Sequence, residues 1–144
     1  DYECPYSRLA YREIGRVERA LGGAVRFAFR HFPLMGLHPS ALAAAVAAEA
    51  AALQGRFWEM SEVLFRRQNA LADQNLRAYA TDLGLDLARF DADRTGRVVL
   101  ARVRRDVDSG LTSRQVRGTP TLFVDGVLHH GGNDAKSLLE ALGT

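Results

Sequence analysis

The chain has 144 residues, 47% of them hydrophobic and 25% charged, and its 19 basic side chains are nearly balanced by 17 acidic ones for a net charge of +2. That is enough apolar material for one buried core, and the small, scattered charge excludes the long basic stripe that a nucleic-acid surface needs. The longest weakly polar run, Ala41 to Leu53, is mostly alanine and carries Glu49, which marks a core helix and not a membrane span.

Cys4 is the single cysteine, in Cys4-Pro5-Tyr6-Ser7, so the chain has no disulfide framework from which a compartment follows. Tyr6 to Leu21 reads as a helix with Leu9, Ile14, Val17 and Leu21 on one side and Gly22-Gly23 ending it. Pro5 fits the first helical position and makes Cys4 the N-cap. A thiol there meets unpaired backbone N–H groups and the positive end of the helix dipole, which lowers its pKa and makes it a nucleophile near neutral pH. The plainer alternative is a free cysteine that only packs.

Ala24 to Phe32 alternates, with Val25, Phe27 and Phe29 against Arg26, Ala28 and Arg30, as in a strand with one apolar face, and Pro33 ends it. From His38 to about Leu111 every segment reads helical. Pro39 or Ser40 starts the alanine-rich helix and Gly55 breaks it. Arg56 to Arg67 follows with Phe57, Met60 and Leu64 in phase. Asp73 caps a helix bearing Leu76, Tyr79, Ala80 and Leu83, and Asp86 caps a short one with Leu87 and Phe90. The last long helix carries Leu100, Val103, Val107 and Leu111. Thr121 to Val124 returns to strand character, Asp125-Gly126 is a hairpin turn into Val127-Leu128-His129, and Asn133 or Asp134 caps a terminal helix with Leu138, Leu139 and Leu142.

Three features coincide: the helix-initiating Cys-Pro-Tyr-Ser, a helical block after the alternating segment, and Gly118-Thr119-Pro120-Thr121 leading into a strand. Together with His31-Phe32-Pro33-Leu34, His38-Pro39 and Gln54-Gly55-Arg56-Phe57-Trp58-Glu59-Met60, they resemble the DsbA-like thiol-disulfide oxidoreductases of the thioredoxin superfamily over nearly the whole chain. The resemblance implies an α/β, thioredoxin-like fold with an all-helical insertion: one domain, 1–144, with thioredoxin-like parts at 1–37 and 113–144 and the insertion at 38–112. It also implies a strand before Asp1, lying between Val25–Phe29 and the hairpin. We expect that strand to be truncated from the sequence or donated by another chain, since its neighbours would otherwise expose unpaired backbone.

By the same resemblance Cys4 is the attacking thiol, Pro120 is a cis proline set against it, and Thr119 offers its backbone to an extended substrate. Pro5 and Tyr6 adjoin that substrate. The departure is Ser7, where the family carries a second cysteine. A hydroxyl cannot displace sulfur from a mixed disulfide, so Cys4 starts exchange without finishing it alone. Ser7 is then native to a one-thiol enzyme resolved by glutathione or another small thiol, or an engineered replacement for cysteine, or the mark of a site that has drifted toward binding.

The implied activity is thiol-disulfide exchange with cysteine-containing proteins or peptides, with no bound cofactor and with glutathione or another small thiol as co-substrate. A glutathione-dependent transferase or isomerase and a non-catalytic peptide-binding module are the alternatives. The family occurs in the cell envelope, the periplasm and the cytoplasm. His31 and His38 read as structural, the latter helping to start the next helix. His129-His130 lacks zinc-site spacing, Trp58 reads as core of the insertion, and Glu3 reads as an exposed acid.

Overall fold

A computed structural model describes residues 1–144. Helix α1 runs Pro5–Leu21, followed by an extended segment and then five helices: α2 Ala41–Ala52, α3 Phe57–Arg66, α4 Asp73–Asp82, α5 Leu87–Arg94 and α6 Arg97–Ser113. The hairpin β1 Phe123–Val124 and β2 Val127–Leu128 and the helix α7 Ala135–Ala141 complete the chain.

The main core lies in the helical block. Helix α2 is buried on almost every side, and its alanines let Met60, Leu64, Leu76, Tyr79 and Phe90 from α3, α4 and α5 approach closely. Tyr2 ties the start of the chain into this core. Its ring stacks on Phe29 and tilts against Phe65, and its hydroxyl shares a 2.7 Å hydrogen bond with Ser61. Helix α1 meets the block where Tyr11 stacks on Phe65, and it is pinned to α7 where Glu13 accepts the Ala135 N–H at 3.0 Å.

The extended segment departs from expectation. Side chains from Val25 to Arg30 alternate between half-buried and exposed as a strand's would, yet no strand forms between Ala24 and Phe32. None of its N–H or C=O groups from Val25 to Phe32 has a backbone partner; the His31 N–H is taken up by the Asp106 carboxylate at 2.9 Å. The periodicity of a strand comes from burial on one face, whereas a ladder needs a hydrogen-bonded partner, and this segment has none. The hairpin is likewise shorter than Thr121 to His129. Phe123 pairs with Leu128 and Val124 with Val127, and His129 N–H to Leu122 O adds one bond beyond them.

Two helical faces are rotated from those expected. On α1, Ser7, Ala10 and Val17 are buried while Leu9 is 56% exposed. On α6 the buried set is Val99, Val103 and Asp106, with Leu100 and Leu111 outward. Asp106 is acceptable inside because the His31 N–H and the Arg102 guanidinium both donate to it. Asp73 is the first residue of α4 and not its cap, whereas Asp86 and Asp134 do cap, accepting from the Arg89 and Ser137 N–H groups. Trp58 is 44% exposed and lies over Phe27 and Phe57 instead of inside the insertion.

Candidate active site

Cys4 is the N-cap of α1, in extended conformation, with Pro5 as the first helical residue. Pro5 supplies no N–H, so the donors at the helix start are the amides of Tyr6 and Ser7. The thiol is buried, 3% exposed, and its Sγ donates to the Thr119 carbonyl at 3.3 Å. Thr119 and Pro120 are joined by a cis peptide bond. Cys4 and Thr119 thus meet, although more than a hundred residues separate the two motifs in the chain.

Two other atoms give this contact its chemistry. Ser7 Oγ and Thr119 Oγ1 are both buried without a hydrogen-bond partner. Orphaned hydroxyls are costly in a protein interior and rare. Burial pushes the Cys4 thiol up, but the Thr119 and Ser7 side chains and then the Ser7 and Tyr6 amides act the other way and prevail, so the pKa lies below its ordinary value. The Thr119 carbonyl favours the thiol and the two hydroxyls favour the thiolate. Both hydroxyls are therefore unsatisfied beside a sulfur whose ionised form they favour.

Tyr6, 69% exposed, projects from the helix start beside the thiol and offers an aromatic face to the surface. Glu3 is not the bare acid expected: its carboxylate accepts the Ser40 N–H at 2.7 Å and so serves the start of α2. His31 is structural, buried and bonded to Glu49 at 2.7 Å. The His38 backbone does help to start α2, accepting from the Ala41 N–H. Its side chain reaches Asp1, whose buried carboxylate also accepts from the Glu3 and Leu34 N–H groups. Gln68, which sequence reasoning missed, donates from one amide nitrogen to both the Tyr2 and Cys4 carbonyls, at 2.7 and 2.9 Å. Neither Gln68 nor Asp1 carries a local sequence signal, because each acts through a contact set by the fold. No group of three or more His, Cys, Asp and Glu side chains converges as a metal site would, and no helix is long and apolar enough to cross a membrane.

Residues 1–143 match the family model of a DSBA-like thioredoxin domain. A thioredoxin-like oxidoreductase from Silicibacter pomeroyi superposes with a TM-score of 0.85 at 27% identity, over 99% of this chain and 80% of that one. Among curated proteins, 99% of the chain is 42% identical to part of a Na(+)/H(+) antiporter NhaA 1 of Mycolicibacterium vanbaalenii and 43% identical to part of NhaA 3 of Salinispora tropica. The chain spans 23% and 22% of the length of those two proteins.

Proposed function

The chain belongs to the DSBA-like thioredoxin domain family, and on that premise we propose that it carries out thiol-disulfide exchange, with Cys4 as the only attacking sulfur and the Thr119-Pro120 loop as the docking edge. The observation that carries this reading is the Cys4 thiol at the start of α1 held against the Thr119 carbonyl of the cis-proline loop, and the buried, partnerless Ser7 and Thr119 hydroxyls support it as groups able to donate to a thiolate. The Cys4 thiolate attacks one sulfur of a substrate disulfide. A new bond joins Cys4 to that sulfur, the old S–S bond breaks, and the other substrate sulfur leaves as a thiolate. Ser7 stabilises the thiolate but cannot resolve the adduct, so a second, external thiol completes the cycle. Cysteine-containing proteins and peptides are the substrates, and a small thiol of the glutathione class is the co-substrate. Since the two antiporters contain a similar stretch, a transport module is a fitting neighbour for this domain, and a cysteine of such a module a fitting target.

Incubation with a short peptide disulfide, followed by mass spectrometry of the intact protein, tests the reading. The expected product is one peptide adduct on Cys4, absent in Cys4→Ala. A wild-type protein that acquires no adduct would leave the binding-module reading in its place.

A further inference from the structure

The start of α1 has no cap of its own. A serine or aspartate at an N-cap holds itself in place by accepting from the helix amides, but Cys4 makes no such side-chain bond and turns its thiol to the Thr119 carbonyl instead. The first helical bond, from the Arg8 N–H to the Cys4 carbonyl, is 3.2 Å, the long end of the usual range. The stronger hold on Cys4 comes from the helical block. Gln68 lies between α3 and α4, and its amide nitrogen donates to the Tyr2 carbonyl at 2.7 Å and to the Cys4 carbonyl at 2.9 Å. A side-chain amide nitrogen carries two hydrogens, so both are spent on the backbone and neither is left for a substrate. The connection that carries Gln68 is itself anchored: Leu71 is buried in the main core, and the Ala70 carbonyl accepts from the Tyr79 hydroxyl at 2.7 Å.

We propose that Gln68 is a positioning residue for Cys4: by tying the Tyr2 and Cys4 carbonyls to one amide, it keeps Cys4 in the extended N-cap conformation that sets the sulfur against Thr119, and so makes the reactivity of the thiol depend on the helical block. The inference rests on the exchange reading above for the reaction it serves. The groups that favour the thiolate, the Thr119 and Ser7 side chains and the Ser7 and Tyr6 amides, belong to α1 and to the loop before β1, and they act on the sulfur only where it meets them. An ionised sulfur draws on all of these preset donors at once, whereas the neutral thiol uses the single Thr119 carbonyl. A Cys4 backbone free to wander therefore costs the thiolate more than the thiol. Reactivity falls with the thiolate fraction.

Gln68→Met tests this, since it keeps the length of the side chain and removes both donors without adding charge. The pH profile of Cys4 alkylation by iodoacetamide should move to a higher midpoint. The rate near neutral pH should fall about fivefold, the worth of one ordinary hydrogen bond, while the rate of the fully ionised thiol stays close to that of wild type. Gly110→Ala, whose added Cβ would meet the Phe32 ring at 2.9 Å, is the control for general loosening and should leave the midpoint in place. If Gln68→Met does not fold, Gln68→Asn takes its place: it keeps the amide but falls one methylene short of both carbonyls, and should move the midpoint the same way by less. An unmoved midpoint in the folded Gln68 variant, or an equal shift in Gly110→Ala, overturns the proposal and leaves Gln68 a purely structural contact. Alkylation needs no exchange, so the two readings fail separately. A wild type that forms no peptide adduct, with the midpoint shift present, removes the exchange reading and keeps the role of Gln68; an adduct formed with no shift does the reverse.

Discussion

At the scale of single residues, two hydroxyls decide how the lone sulfur behaves. Ser7→Ala and Thr119→Val each remove one partner of the thiolate, so each should raise the Cys4 pKa and cut its alkylation rate near neutral pH several-fold, with the double variant slower than either. Because the folded pKa lies below the unfolded one, the folded state prefers the thiolate. The stabilisation this brings is fully present above the unfolded thiol value of about 8.5 and is lost as pH falls through the folded pKa. The stability difference between wild type and Cys4→Ala, from urea titrations, should therefore shift in favour of wild type as pH rises from below the folded pKa to the unfolded value of about 8.5. Ser7→Cys supplies the missing resolving sulfur, and the expected gain is insulin reduction that the wild type lacks. The N-cap role of Cys4 was legible from Pro5 alone. The orphaned hydroxyls were not, because whether a serine has a partner depends on what the fold packs over it.

At the scale of elements, α6 is fitted closely against the extended segment. A Cβ on Gly110 would sit 2.9 Å from two carbons of the Phe32 ring, so Gly110→Ala should cost about 1–3 kcal/mol through overpacking, read from chemical denaturation. Asp106→Ala should cost a similar amount, about 1–3 kcal/mol, by leaving the buried His31 N–H without its acceptor. The helices were legible from apolar spacing and from Gly22, Gly55 and Gly84, which all adopt positive φ. Their faces were less so. Leu100 and Leu111 looked like core beside Val103, but the surface that α2 presents to α6 selects Val99 and Val103 and turns both leucines outward. Trp58 misled in the same way, since its position beside Phe57 at the start of α3 sets it over Phe27 at the edge of the block.

At the scale of the molecule, the helical block holds the large core, and the thioredoxin-like part contributes α1, the hairpin and α7 around an extended segment with no ladder of its own. Amide hydrogen exchange should therefore separate the two. N–H groups of α2 exchange slowly, while those from Val25 to Phe32, His31 excepted, exchange at rates near those of an unstructured peptide; protection across that segment would mean that it has found a strand partner. The architecture was legible because two short motifs far apart in the chain, Cys4 to Ser7 and Gly118 to Thr121, fall together in one family. The contacts that fasten the site to the helical block, through Tyr2, Gln68 and the Asp1–His38 pair, were not, since each joins residues more than 30 positions apart. The activation of Cys4 is the claim on which the rest depends, and the pH dependence of its alkylation by iodoacetamide, with thiolate absorbance as a check, measures it directly. A midpoint below the ordinary thiol value of about 8.5 is the predicted result, and a midpoint at or above it would show that the two hydroxyls do not hold a thiolate and that Cys4 is a packed, inert side chain.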